Sequence, residues 1–242
     1  MKVSLFIPCI VDSLVPEVAE ATARLLERLG LDLDYPQDQI CCGQPAFNGG
    51  HFEPARKVAR RFIEAMNGSE IIVSPSGSCV SMIRNHYGKL FEGNSHELEQ
   101  ARQLGKRTFE LTEFLVKHLG VTDLGACFNG AVTLHDSCHL NRELGIKDEP
   151  RELIRSVSGA RFIEMEDSER CCGFGGTFSI KFPEISSAMA RSKADSIVNS
   201  SADAVVVCDP GCMIQIGGYL SRRKSKVRVI HIAELLQNGK DV

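Results

Sequence analysis

Mostly apolar runs of strand length fall at residues 2–8, 70–73, 131–135 and 204–207, the pattern of strands. Shorter runs at 32–35, 107–110, 161–164 and 227–230 read as further strands. Between them the apolar positions change to helical spacing. Val18, Ala21, Leu25, Leu26 and Leu29 share one face of a helix expected over 16–29, closed by Gly30. A helix over 54–66 has Pro54 in its first turn and ends at Asn67-Gly68. Others are expected from Cys79 onward, over 112–119, around Leu140, and over 150–157, 183–199 and 211–220, with a short one at the end. Strands separated by helices predict an α/β fold with a parallel sheet and right-handed crossovers.

The order runs twice. Phe6-Ile7-Pro8-Cys9 corresponds to His135-Asp136-Ser137-Cys138, 129 residues later, and Cys41-Cys42-Gly43 to Cys171-Cys172-Gly173 at an offset of 130. Pro75-Ser76-Gly77-Ser78-Cys79 faces Cys208-Asp209-Pro210-Gly211-Cys212 at an offset of 133. Glu110-Leu111-Thr112-Glu113-Phe114-Leu115 echoes His231-Ile232-Ala233-Glu234-Leu235-Leu236. Landmarks repeated in one order identify a duplication. The expected organisation is two tandem α/β domains, 1–124 and 125–242, each a mostly parallel sheet flanked by helices, with the cysteines at the carboxyl ends of the strands.

Composition narrows the class. With 242 residues, 43% of them hydrophobic, the chain is long enough for packed cores, and disordered or fibrous architectures are excluded. No apolar run approaches the roughly 20 residues of a membrane span. The opening, one Lys and a short apolar stretch to Cys9, is too brief for a secretory signal and reads as a buried first strand. A soluble cytoplasmic protein is expected. A net charge of −3 with mixed signs leaves no electrostatic footprint for nucleic acid.

Ten cysteines are the unusual count. Secreted disulfide scaffolds are short and loop-rich, and a bridge within Cys41-Cys42 or Cys171-Cys172 would be strained, so metal-binding thiolates are the favoured use. The first set is spaced Cys9, 31 residues, Cys41-Cys42, 36 residues, Cys79; the second Cys138, 32 residues, Cys171-Cys172, 35 residues, Cys208, three residues, Cys212. Each group follows a predicted strand or leads into a helix, and the carboxyl ends of parallel strands share one edge where ligand sites gather. Converging thiolates repel and need a soft cation: an iron–sulfur cluster, zinc or Cu(I). The close C-x2-C pairs usual for zinc are absent, and five thiolates exceed its tetrahedral need, so iron–sulfur is favoured.

The doubled motif C, about thirty residues, CCG, about thirty-five residues, C resembles the CCG cysteine-rich domain family, which includes the cysteine-rich component of heterodisulfide reductase and glycolate oxidase iron–sulfur subunits. Over nearly the whole chain, MKVSLFIPC, ICCGQPAFN, VSPSGSCV, CCGFGGTFS and HIAELL resemble the lactate-utilization branch of that family. The resemblance implies an iron–sulfur electron-transfer subunit, with [4Fe–4S] clusters at up to two sites as the expected cofactors, in a multi-subunit system that oxidises L-lactate. It implies metal ligands at Cys9, Cys41, Cys42 and Cys79, and at Cys138, Cys171, Cys172, Cys208 and Cys212. Only the second set could match the five-cysteine non-cubane cluster of the reductase, because Pro75 stands opposite Cys208. A ferredoxin-type iron–sulfur subunit and other lactate-utilization subunits are the implied partners. On this reading the chain is an oxidoreductase subunit without complete activity alone. The alternatives are a thiol- or disulfide-reducing catalytic subunit and a zinc-stabilised binding module.

Other residues weigh less. Gly173-Phe174-Gly175-Gly176 suggests a dinucleotide loop, but Phe178 stands where GxGxxG needs glycine. Gly43, Gly173, Gly175 and Gly176 are instead expected to bring backbone N–H groups toward cluster sulfides. His135 and His139 flank Cys138, with a strand-end histidine hydrogen-bonded to backbone favoured over a ligand. Cys127 is expected in the join as an isolated thiol. Arg222-Arg223-Lys224-Ser225-Lys226 reads as a solvated turn. Asp136 and Asp209 could support the cysteine loops from behind.

Overall fold

A computed structural model describes residues 1–239. The chain divides into two compact units, Met1–Phe114 and Leu115–Val242, called here the first and second lobes. The first runs β1 (Lys2–Leu5), α1 (Cys9–Leu14), α2 (Pro16–Arg28), β2 (Asp32–Asp34), α3 (Gln44–Asn48), α4 (Phe52–Ala65), β3 (Ile72–Ser74), α5 (Gly77–Ser81), α6 (Tyr87–Leu90), α7 (Ser95–Lys106), β4 (Thr108–Glu110) and α8 (Leu111–Glu113). The second runs β5 (Cys127–His135), α9 (Asp148–Arg155), β6 (Ser158–Phe162), α10 (Thr177–Lys181), α11 (Pro183–Asn199), β7 (Ala204–Val207), α12 (Pro210–Arg222), β8 (Arg228–His231) and α13 (Ile232–Gln237). Each lobe has one four-stranded sheet, ordered β2-β1-β3-β4 and β6-β5-β7-β8, with every strand pair parallel. Two tandem duplicated α/β domains are therefore what the chain forms.

Local sequence accounts for the elements. The inner strands β3 and β7 are buried at every position, as helices on both faces of a parallel sheet require. Helix α2 buries Val18, Ala21, Thr22, Leu25 and Leu26. It ends where Gly30, at φ 75°, lets its own N–H reach Glu27 O and that of Leu31 reach Leu26 O, the paired bonds of a Schellman cap. Along α4 with its C-cap, and along α11, the buried positions correspond: Ala55, Ala59, Phe62 and Met66 in the first lobe, Ser186, Ala190, Lys193 and Ile197 in the second, each 131 residues apart.

The structure differs from expectation in places. Helix α7 fills residues that carry no expected element; Asn94 caps it by accepting from Glu97 N–H, and its own amide donates to Glu97. Strand β5 starts at Cys127, not at 131. Asn129-Gly130 reads as a turn, but the register shift between Cys127 and Gly130 absorbs it as a bulge, where Ala131 N–H donates to Asp203 Oδ2 at 2.7 Å. Cys127 consequently lies at the amino end of β5, the end remote from the other cysteines of its lobe. Strand β6 begins three residues earlier than expected, at Ser158.

Candidate functional site

In each lobe four thiols form a continuous chain at the carboxyl ends of β1 and β3, or of β5 and β7. Cys9 opens α1, Cys41 and Cys42 lie in the segment before α3, and Cys79 sits inside α5. Cys9 Sγ is 3.7 Å from Cys41 Sγ, Cys41 is hydrogen-bonded to Cys42, and Cys42 Sγ is 3.4 Å from Cys79 Sγ. The second lobe repeats the order. Cys138 bonds Cys171, Cys171 bonds Cys172, and Cys172 Sγ lies 3.2 Å from Cys212 Sγ in the first turn of α12. Cys208, fully buried, directly follows β7 at the same strand end. None of the ten cysteines is in a disulfide.

Burial grades across each chain of thiols. Cys9 is exposed and Cys41 half-buried, whereas Cys42 and Cys79 belong to the apolar core with Phe6, Phe62 and Met82. Cys138 and Cys171 are likewise half-buried, and Cys172 and Cys212 join the core of Val205, Val207 and Ile216. One edge of each site therefore meets solvent while the other is dry.

The glycine of each CCG holds the turn. Gly43 and Gly173 have φ of 84° and 85°, and their N–H groups point back at Cys41 Sγ and Cys171 Sγ, both at 3.4 Å. The helix behind leaves little room: a Cβ on Gly43 would stand 3.2 Å from Val58 Cγ1, and one on Gly173 only 2.6 Å from Ser186 O. Gly175 and Gly176, also at positive φ, form the turn into α10.

These contacts polarise the thiols. Cys41 drops to about 3 because Cys42 and then Cys9 donate to its sulfur, aided by the Gly43 N–H, against the effect of burial. Cys171 falls to about 2 through Cys138 and Cys172, with Gly173 contributing. The donors Cys9, Cys42, Cys138 and Cys172 are pushed up, first by giving those hydrogen bonds and then by burial. Each lobe thus keeps one thiolate at the same position of the repeat. Such sets are suited to a soft cation, which would displace the remaining protons.

Behind the sulfurs the lobes diverge. In the first, Phe6 packs edge-on against Phe62, ring centroids 4.6 Å apart, and Tyr87 OH donates to Cys42 O at 2.9 Å. In the second, the positions of Phe6 and Phe62 hold His135 and Lys193. Lys193 is buried and donates to Asp167 O and Ser168 O at 2.7 and 2.9 Å. His135 is 1% exposed, and among the described residues neither ring nitrogen has a hydrogen-bond partner. The expected backbone bond of a strand-end histidine is therefore not made. Burial first, and Lys193 second, hold its pKa down at about 4, so it is neutral. A ring nitrogen of His135 and the sulfurs of Cys172 and Cys212 lie within 4.8 Å of one another.

The next residue, Asp136, is clamped. Arg151 from α9 donates to both its carboxylate oxygens at 2.8 and 2.7 Å, to Glu164 at 2.9 and 2.7 Å, and to Lys147 O. Asp136 thus stands in a buried bidentate ion pair, while Asp209 caps α12 by accepting from Gly211 N–H. His139 contacts Cys138 Sγ at 3.5 Å. In the basic run Arg223 pairs with Asp195, and Lys224 takes the positive φ of a turn. Motif and spacing do not single out Arg151 or Lys193, although Lys193 stands on the apolar stripe of its helix among Ala190, Ala194 and Ile197.

The cysteine-rich domain model named CCG matches residues 3–84 and 132–217. The chain belongs to the CCG cysteine-rich domain family. Its two CCG domains each contain one of the four-thiol chains. Among curated relatives it is 46% identical to lactate utilization protein A of Bacillus subtilis, covering 98% of this chain and 100% of that protein. It is also 46% identical to lactate utilization protein A of Oceanobacillus iheyensis, covering 100% of this chain and 98% of that one. Among solved structures, a putative Asp/Glu racemase from Yersinia pestis aligns over 98% of this chain and 96% of its own at 12% identity and TM-score 0.41. That likeness is too remote to speak to chemistry. Among the described residues no helix of this CCG protein is long and apolar enough to cross a membrane.

Proposed function

We propose that this chain is an iron–sulfur electron-transfer subunit of a multi-subunit cytoplasmic system that oxidises L-lactate or a related 2-hydroxy acid. The observation that carries the reading is the pair of thiol chains, Cys9-Cys41-Cys42-Cys79 and Cys138-Cys171-Cys172-Cys212, each at the carboxyl edge of its sheet. In functional terms the halves 1–124 and 125–242 each hold one centre, with Cys208 completing the second set. The relatives named for lactate utilization, alike over their whole length, support the pathway. A ferredoxin-type subunit is the proposed redox partner.

The residues fit such a group by their chemistry: all-sulfur donor sets, soft and partly dry, with glycine N–H groups aimed at sulfur to temper its charge. A bound cluster would supply one-electron transfer. The chain's own residues exclude water on the inner edge, where Phe6 and Phe62 or Val205 and Val207 pack, and leave Cys9 and Cys138 nearer solvent, where a partner can approach.

Anaerobically purified protein is expected to be brown, to contain acid-labile sulfide equimolar with iron, and to give a reduced-state paramagnetic signal. Colourless protein without sulfide after reconstitution would refute the reading. Cys41→Ser/Cys42→Ser and Cys171→Ser/Cys172→Ser should each remove one centre's iron. One observation favours a second reading: the sulfur contacts of 3.2–3.7 Å approach the ~3.8 Å edge of a tetrahedron of thiolates about 2.3 Å from one zinc. About one zinc per lobe without iron or sulfide would select it.

A further inference from the structure

Duplication supplies an internal control for the second lobe. The same backbone positions surround both thiol chains, so a side chain that differs between them without serving the fold calls for a separate explanation. Phe6 serves the fold of the first lobe: fully buried, it closes an aromatic contact with Phe62. His135 occupies the corresponding end of β5 and is equally buried, yet neither of its nitrogens has a hydrogen-bond partner among the described residues. Burying an imidazole without partners leaves its desolvation uncompensated, and the phenylalanine that the repeat uses elsewhere would avoid that cost. The ring is not turned toward a backbone group. One of its nitrogens stands within 4.8 Å of both Cys172 Sγ and Cys212 Sγ, the dry pair of the site.

From this we propose that His135 is a nitrogen ligand of the metal centre in the second lobe, so that the two centres differ in donor set: sulfur alone in the first, sulfur and imidazole in the second. The inference rests on the reading that the second lobe holds a metal centre. The surroundings suit the role. Asp136, next in sequence, is locked by Arg151 through two hydrogen bonds, which fixes the backbone that carries the ring. Replacing an anionic thiolate by a neutral imidazole raises the reduction potential of iron–sulfur centres. An imidazole at this position therefore leaves the second centre at a higher potential than a thiolate there would.

The test uses the full chain carrying Cys41→Ser/Cys42→Ser, so that only the second lobe's centre is observed, prepared with 15N-labelled histidine and reconstituted anaerobically with iron and sulfide. Hyperfine spectroscopy of the paramagnetic state should show a strongly coupled 15N nucleus, absent in His135→Phe, the substitution that restores the first lobe's residue. His135→Cys should keep the cluster and lower its midpoint potential. A loaded cluster with no coupled histidine nitrogen, or with coupling that survives His135→Phe, overturns the proposal while leaving the iron–sulfur reading intact. If iron and sulfide do not load, the iron–sulfur reading fails, and cobalt(II) is the probe instead. Paramagnetically shifted imidazole resonances that vanish in His135→Phe would then uphold the nitrogen ligand, and their absence, or failure of cobalt to bind, would overturn it. Matched circular dichroism of the metal-free variants excludes loss of fold as the cause.

Discussion

Replacing Arg151 by methionine tests how the loop bearing His135 and Cys138 is held. The substitution keeps most of the side-chain volume and removes the cation. Asp136, 2% exposed, then loses both charge-assisted bonds, and breaking a buried pair from one side costs about 3–5 kcal/mol. Glu164, on the other fork, is 46% exposed as a side chain and contributes well under ~1 kcal/mol of that. Urea unfolding of the reduced, metal-free chain, followed by circular dichroism, should show the second lobe's midpoint falling by roughly 2 M at an m-value near 2 kcal/mol/M. The first lobe should be unmoved. Arg151→Met/Asp136→Ile, which restores the residue type of Ile7, should recover most of the loss, because an apolar replacement leaves no stranded charge. The pH dependence follows from Asp136. Burial pushes its carboxyl up, but the hydrogen bonds and charge of Arg151 outweigh burial and hold the pKa below the usual 3.8. A depressed carboxylate contributes stability above its unfolded pKa and loses it as pH falls through the folded value. The gap between wild type and Arg151→Met should therefore be full at pH 7 and close in acid. A loss below about 1 kcal/mol at pH 7, or a double variant no better than the single one, would refute the clamp.

Other outcomes follow from the same geometry. Gly43→Ala should cost about 1–2 kcal/mol for its left-handed backbone, whereas Gly173→Ala, whose Cβ would meet Ser186 O at 2.6 Å, should cost about 3 or more and impair iron uptake; equal losses in urea melts would contradict the packing. Burial raises Glu110 from 4.5 to about 8 against the hydrogen bonds of Thr112 and Glu113. Its contribution is therefore full below pH 4.5 and lost as pH rises through 8. Metal-free first-lobe stability should decline by up to about 5 kcal/mol across that window, and Glu110→Gln should flatten the slope. Metal-free protein exposed to oxygen should form Cys9–Cys41 and Cys138–Cys171 bridges, because Cys41 and Cys171 hold the thiolate next to the more exposed thiol, each losing two hydrogens by mass with dioxygen as the two-electron oxidant; peptide mapping that finds pairs outside the two thiol chains would count against the observed arrangement.

Much of the fold is legible in the sequence because the chain states it twice. Helix α11 and strand β7 occupy the spans that periodicity predicts, 183–199 and 204–207, where Pro183 and the run Ala204-Val205-Val206-Val207 leave little ambiguity. The convergence of the cysteines follows from strand order. What is not legible depends on burial that local sequence does not encode. Arg151 looks like an ordinary helix-surface cation until the partners that bury it are known, and Lys193, although on its helix's apolar stripe, carries no motif. His135 looks like a residue that would find a backbone partner, and only the packed lobe reveals that it does not. Strand β5 reads too short because Asn129-Gly130 imitates a turn, a local signal overridden by pairing with β6 and by Asp203. Helix α7 has one local signal, the Asn94 to Glu97 cap at its start, and a mostly polar surface that blurs its period.

The left-handed glycine after each cysteine pair matters for recognising such proteins elsewhere. Adjacent cysteines are common in sequence and ordinarily face apart. Here the third residue turns the main chain back so that one amide rests against the first sulfur, and the helix behind tolerates hardly an extra carbon. A search keyed to cysteine spacing alone would gather unrelated thiols, while one that also demands the glycine, and a yielding side chain at the position of Val58 or Met189, would select chains able to build the same pocket.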